Sequence, residues 1–293
     1  MANDRVTVGL IQSRASLDPD RNLAATARRI RLAAQGGARI VCVQELFRSR
    51  YFPRTEDTEA FTLAEPVPGP TTERFCSLAR ELELVIVASV FEARAPGVYH
   101  NTALVIDADG EILGRYRKMH IPDDPGFYEK FYFTPGDLGF RTFRTRYARV
   151  AVLICWDQWF PEAARLVALG GAEIIFYPTA IGWGSGENRA ERRTQLEAWE
   201  LVQRSHAVTN GVYVAAVNRV GREDDITFWG RSFVTDPSGQ VLARAGKTKP
   251  EILLAGCDLG AIAAARHNWP FLRDRRIDAY QGLTRHMLDD VSD

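Results

Sequence analysis

Three residues with complementary chemistry stand at the ends of three apolar, strand-like runs. Glu45 closes Arg39-Ile40-Val41-Cys42-Val43-Gln44-Glu45, Lys118 closes Ile112-Leu113-Gly114-Arg115-Tyr116-Arg117-Lys118, and Cys155 closes Arg149-Val150-Ala151-Val152-Leu153-Ile154-Cys155. In an open α/β sheet, functional groups collect at the carboxyl ends of strands, so residues far apart in sequence can converge there. A thiol that attacks a carbonyl, a carboxylate that takes and returns protons, and an ammonium that stabilises an oxyanion together suit acyl transfer. Singly, each has a plainer reading: a buried strand-end cysteine, a surface or capping acid, a solvated lysine. The shared strand-end position is what favours catalysis.

Cys155 is the sharpest of the three. Trp156 to Phe160 reads as a turn, and Pro161 then opens Glu162 to Leu169, which reads as a helix because proline is tolerated in a first helical turn. This predicts a strand-to-helix elbow that pushes the thiol out of the sheet, with the helix N-terminus lowering its pKa.

The elements that must position these residues alternate. Val6 to Gln12 is a strand, Pro19 to Gln35 a helix with Leu23, Ala27, Ile30 and Ala34 on one face, and Arg39 to Glu45 a strand, which together make a βαβ unit. Thr71 to Leu82 reads as a helix and Leu84 to Val90 as a strand. Asp109-Gly110 joins Asn101–Asp107 to Ile112–Lys118 as a hairpin. His120 to Phe140 reads as a long aromatic loop without a period, and such loops are usually functional. Beyond the elbow come a strand (172–178), a loop at Trp183-Gly184-Ser185-Gly186, a long helix (189–208), a strand (212–218), a second hairpin (233–243) and a last strand (252–257). With no linker or composition shift, one α/β domain over 1–293 is expected. Two similar halves fit two mixed sheets packed face to face with helices outside, and 262–293 forms a C-terminal tail.

Composition excludes several classes. Lys plus Arg equals Asp plus Glu at 37 each, so charge favours neither nucleic acid nor an anionic membrane. No apolar run reaches transmembrane length, and the N-terminus lacks the apolar core of a signal peptide. The four cysteines, Cys42, Cys76, Cys155 and Cys257, make no metal-ligand spacing. A cytoplasmic enzyme with reduced thiols, a small-molecule substrate and no metal is expected.

Three segments, Gln44-Glu45-Leu46-Phe47, Gly114-Arg115-Tyr116-Arg117-Lys118-Met119-His120 and Leu153-Ile154-Cys155-Trp156-Asp157, occur in the order found in the nitrilase, or carbon–nitrogen hydrolase, superfamily, which the whole chain resembles. The resemblance implies a four-layer αββα sandwich and a triad with no cofactor: Glu45 as general base, Lys118 as oxyanion stabiliser and Cys155 as nucleophile. It also implies Glu129 as a supporting acid near Lys118, the N–H of Trp156 as a second oxyanion donor, and a homodimer or higher homo-oligomer. The tail segment Trp269 to Arg276 is a plausible subunit contact, since Trp and Arg favour interfaces.

Within the superfamily, His120-Ile121-Pro122-Asp123, Glu129 to Phe133, Cys155 to Arg165, Tyr177 to Gly182 and Trp269 to Arg276 resemble the N-carbamoylputrescine amidase branch. That branch converts a ureido amine to putrescine, ammonia and carbon dioxide. One departure stands out: where many members have Ser-Glu after Ala-Ile-Gly, this chain has Trp183-Gly184. A distal ammonium still needs an anionic partner, and Asp123, Asp124 and Glu187 are the candidates, with Tyr128 and Trp183 on the same pocket loops. An N-carbamoyl amino acid such as N-carbamoyl-β-alanine, or an ω-amide, is the alternative substrate. A carboxylate on it would call for a cation, for which Arg189, Arg192 and Arg193 are candidates. His206 is expected to be a core residue, and His120 to shape the pocket without carrying protons.

Overall fold

A computed structural model describes residues 5–288. Its strands in chain order are β1 (Arg5–Gln12), β2 (Ile40–Val43), β3 (Val85–Ala95), β4 (Val98–Ile106), β5 (Ile112–Arg117), the two-residue β6 (Asp123–Asp124) and β7 (Phe127–Tyr128), β8 (Thr142–Arg144), β9 (Arg149–Val152), β10 (Ile174–Thr179), β11 (Gly182–Trp183), β12 (Tyr213–Asn218), β13 (Val220–Glu223), β14 (Ile226–Trp229), β15 (Phe233–Thr235), β16 (Val241–Arg244) and β17 (Glu251–Asp258). The helices are α1 (Pro19–Gln35), α2 (Pro70–Leu82), the single-turn α3 (Glu129–Tyr132), α4 (Pro161–Leu169), α5 (Arg189–Asn210) and α6 (Gly260–Asn268). The positions 1–4 and 289–293 of the expected domain and tail lie outside the described residues.

Two six-stranded mixed sheets, ordered β17-β1-β2-β3-β4-β5 and β16-β15-β12-β10-β9-β8, form the centre. Period-two alternation decides which face each side chain serves. In the first sheet Val8, Leu10, Ile40, Cys42, Val85 and Val87 join the second sheet's Val150, Val152, Ile174, Phe176 and Ala215 in one inter-sheet core. Their neighbours Ile11, Val41, Val43, Ile86 and Ala88 point the other way, against Ala27, Ile30 and Ala33 of α1 and Phe75, Leu78 and Ala79 of α2. On the second sheet, Ala163, Ala164 and Val167 of α4 and Trp199 and Ala207 of α5 are buried in turn. The result is the expected four-layer αββα sandwich. Its parallel pairs, β1 with β2, β2 with β3, β9 with β10 and β10 with β12, have helices on the outer face, as parallel strands require.

Several expectations are corrected. The strand at 84–90 continues to Ala95 and turns through Pro96-Gly97 into β4, a hairpin that lacks the usual Asn-Gly or Asp-Gly signal. The stretch 219–232, unassigned from sequence, pairs β13 with β14 and adds β11 as a small third sheet. The aromatic loop 120–140 contains β6, β7 and α3. At the elbow β9 ends at Val152, short of Cys155, while the turn, a 3-10 turn over Cys155–Trp159, and a helix opening at Pro161 are as expected.

The loop after α3 is tied to the strand end that carries Lys118. The N–H of Gly136 donates to the Lys118 carbonyl at 2.8 Å, and a Cβ at position 136 would lie 2.1 Å from the Arg117 carbonyl oxygen. Only glycine permits that approach. Gly136→Ala should therefore destabilise the protein by about 1–3 kcal/mol through overpacking, read by urea denaturation. Gly186→Ala, whose Cβ would meet nothing within 4 Å, should be near neutral.

Candidate active site

The three strand-end residues converge. Lys118 Nζ donates to Glu45 Oε1 at 2.8 Å and to Glu129 Oε2 at 2.6 Å, and all three side chains are withdrawn from solvent. Asn101 Nδ2 donates to Glu45 Oε1 at 2.7 Å, and the Tyr51 hydroxyl donates to Glu129 Oε1 at 2.8 Å. Glu45 Oε2 is buried with no hydrogen-bond partner. Cys155 is 5 % exposed and interacts electrostatically with Glu45, Lys118 and Glu129. An ammonium has three N–H donors and two are used here, which leaves one for a substrate oxygen.

The backbone at both strand ends is strained. Leu46, next to Glu45, has φ 46°, and Cys155 has φ 44°. Left-handed conformations cost a residue with a side chain about 1–2 kcal/mol, so the surroundings must impose them. At Leu46 they do. Its N–H donates to Ser89 Oγ, and the buried Arg219 guanidinium donates to the carbonyls of Glu45, Leu46 and Ser49 while pairing with Glu223 at 2.8 Å. Glu223 also accepts the Tyr51 N–H at 2.7 Å.

Burial and charge set the proton affinities. Burial opposes the Lys118 charge, but Glu129 and Glu45 outweigh it and hold the ammonium protonated above the ordinary lysine range. Glu129 is pushed up to about 7, first by burial and then by Glu45, against the pull of Lys118 and its hydrogen bonds. The Cys155 thiol is raised well above its ordinary range, by burial first and by Glu45 next, with Lys118 opposing. This corrects the expectation of a thiol acidified by a helix N-terminus. Burial disfavours the thiolate first, and the carboxylates of Glu45 and Glu129 outweigh the one ammonium beside it. Such a thiol suits deprotonation by a neighbouring base at the moment of attack, and the unpartnered Glu45 Oε2 is the group suited to it.

A cavity of about 630 Å³ opens onto Cys155. Among its lining residues are the aromatic side chains Phe127, Trp156, Trp159 and Trp229 and the carboxylates Asp124, Glu129 and Glu187. The described lining residues include no arginine or lysine. Of the expected substrate contacts, Asp124 and Glu187 line the cavity, and Glu187 Oε2 is buried without a partner. Asp123 and Tyr128 do not line it; they pair with each other across β6 and β7, with Asp123 turned to solvent. Trp183 stands one layer back, its ring 5.2 Å from that of Trp229, and its Nε1 donates to the Arg192 carbonyl. Arg189, Arg192 and Arg193 line a separate groove on α5. His206 is buried, with Nε2 against the Gln158 carbonyl, as expected of a core histidine.

Sequence reasoning missed Tyr51, Asn101 and Arg219. Arg219 directly follows the apolar strand β12, so the strand-end rule that selected Glu45 and Lys118 would have found it. Asn101 is a polar residue leading an apolar run. Tyr51 carried no signal beyond its nearness to Glu45.

A family model described as carbon-nitrogen hydrolase matches residues 7–267. The chain is 46 % identical over 290 residues to an N-carbamoylputrescine amidase of Solanum lycopersicum, covering 96 % of this chain and 95 % of that protein. It is 41 % identical over 290 residues to a citrullinase of Francisella tularensis subsp. tularensis, covering 97 % and 99 %. A crystal structure of a carbon-nitrogen hydrolase from Helicobacter pylori G27 superposes with a TM-score of 0.94 at 44 % identity, over 97 % of this chain and all of that one.

The raised affinity of Glu129 has a sign that can be checked. Its folded-state pKa of about 7 lies above the ordinary 4.5, so its contribution to stability is fully present below 4.5 and is lost as pH rises through 7. The isosteric Glu129→Gln variant should lack that loss. Urea denaturation from pH 4.5 to 8 should show the wild type losing stability relative to the variant across this window, and parallel curves would contradict the assignment.

Proposed function

We propose that this chain, which belongs to the carbon–nitrogen hydrolase family, hydrolyses N-carbamoylputrescine to putrescine, ammonia and carbon dioxide, with Cys155 as nucleophile, Glu45 as proton carrier and Lys118 as oxyanion stabiliser. The observation that carries the substrate assignment is the charge of the cavity. An apolar, aromatic passage with Asp124 and Glu187 in its walls suits a four-carbon chain ending in an ammonium, and among the described lining residues no guanidinium or ammonium offers to bind a carboxylate. The Ser-Glu that many members of the branch have after Ala-Ile-Gly is replaced here by Trp183-Gly184, and Glu187 supplies a carboxylate from the same loop. An N-carbamoyl amino acid or citrulline fits this lining less well, because its carboxylate would face Asp124 and Glu187.

The steps follow from the groups present. Cys155 Sγ attacks the ureido carbon as Glu45 Oε2 takes the thiol proton. The third N–H of Lys118 and the backbone N–H of Trp156 bind the oxyanion. Collapse of the adduct expels a nitrogen that receives the proton from Glu45, leaving a thioester-type carbamoyl enzyme. Glu45 then takes a proton from water, the hydroxide attacks the carbonyl carbon, and Cys155 departs with the proton. The carbamic acid released falls apart to carbon dioxide and whichever of the amine and ammonia was not expelled in the first step. Altogether one water is consumed and both nitrogens leave as amine and ammonia. Glu129, hydrogen-bonded to Lys118 and Tyr51, keeps the ammonium aimed. The tail residues Trp269, Phe271, Ile277 and Leu283 are exposed and apolar, which supports self-association as at least a homodimer. Four unpaired cysteines support a reducing compartment such as the cytoplasm.

Rates on N-carbamoylputrescine, citrulline and N-carbamoyl-β-alanine test the substrate. The first should be preferred. Glu187→Gln should lower kcat/KM for it by roughly 10- to 150-fold, the worth of about 1.5–3 kcal/mol for a hydrogen bond to a charged group, without a comparable loss on a neutral ω-amide. Preference for a carboxylate-bearing substrate would overturn the reading.

A further inference from the structure

We propose that Asp157, working with His120, is a positioning residue that locks the Cys155 elbow and the Lys118 strand end into one unit. The inference rests on Cys155 and Lys118 acting as proposed above. Asp157 is fully buried, and its carboxylate receives donors from three separate segments. Oδ2 accepts the Ile154 N–H at 2.8 Å and the Tyr116 hydroxyl at 2.7 Å. Oδ1 accepts the His120 N–H at 3.1 Å and faces His120 Nδ1 at 2.7 Å. Ile154 immediately precedes the strained Cys155, Tyr116 belongs to β5, and His120 lies two residues beyond Lys118. One side chain therefore connects the nucleophile's backbone to the strand that delivers the oxyanion lysine.

The His120 ring is aimed from outside. It lies flat on Phe160, with ring centroids 3.7 Å apart and planes 5° from parallel, and Phe140 stacks nearby at 6.2 Å. Phe160 is the residue that leads into α4, so the stack also fixes the far end of the 3-10 turn. Position 155 cannot be relieved by glycine if its thiol is needed, so its left-handed backbone must be imposed by neighbours. Asp157 holds the peptide on one side of it. Four donors converge on the two oxygens of this side chain, and an amide would turn an N–H toward donors.

Releasing this brace should let Cys155 drift relative to Glu45 and Lys118. A displacement near 1 Å from productive geometry can reduce turnover on the order of 100-fold. The test compares His120→Ala, His120→Asn and Asp157→Asn with wild type and Cys155→Ala, measuring kcat, KM and the fraction of titratable Cys155 thiol, with kcat expressed per titrated thiol. His120→Ala should lose turnover on the order of 100-fold with KM changed by no more than about twofold. His120→Asn restores an N–H near the Nδ1 position and should regain most of the loss. Asp157→Asn should match or exceed the alanine variant; if it does not fold, the His120 pair decides alone. Unchanged kcat per thiol in His120→Ala, or a loss that His120→Asn does not reverse, would overturn the positioning role. Retained turnover in Cys155→Ala would instead overturn the nucleophile on which the role depends.

Discussion

The ammonium of Lys118, held between the carboxylates of Glu45 and Glu129 out of contact with water, is the interaction on which the rest depends. Burying three charges is costly, and the cost is offset only if each is paired at short range and the remaining lone pairs are satisfied. Asn101 and Tyr51 supply that satisfaction, one to each carboxylate. A single acceptor, Glu45 Oε2, is left open, and that omission gives the cluster a use. An unpaired carboxylate oxygen in a low-dielectric site is a poor structural element and a competent proton acceptor. Burial first, and the same imbalance of charge next, hold the thiol above its ordinary range.

A cluster of this kind cannot be built on relaxed backbone. Glu45 and Cys155 each sit at or beside a left-handed residue just past the end of a strand, and each has a buried polar side chain responsible for the distortion. Arg219 holds the Glu45 segment through three carbonyls, and Asp157 holds the Cys155 segment through the Ile154 N–H. Strain imposed from two directions converts a sheet edge, ordinarily the place where side chains begin to wander, into a site of fixed geometry. The cavity above it combines aromatic walls with acids, and the arginines of α5 line a different groove.

Much of this was legible in the sequence. Strand–helix alternation and two halves of similar pattern gave the layers, and the rule that functional groups gather at strand ends gave Glu45, Lys118 and Cys155. Family motifs added Glu129, which no local pattern marks. Legibility ended where partners are distant in the chain. Arg219 meets Glu45 across 174 residues, and Tyr51 meets Glu129 across 78; a strand end marks Arg219, but neither local stretch identifies the partner. The β13–β14 hairpin was missed because Asp224-Asp225, with Asp224 at φ 54°, takes the place of a glycine turn. The direction of the thiol shift was misread because its causes, burial and the carboxylate of Glu45, lie far from Cys155 in the chain.

The most direct test is rapid acid quench of the wild-type protein during turnover of N-carbamoylputrescine, followed by peptide mass spectrometry. The account predicts a carbamoyl or N-alkylcarbamoyl adduct on the peptide containing Cys155, absent from Cys155→Ala. Full turnover by an enzyme that never acquires that adduct, or an adduct on another residue, would contradict it.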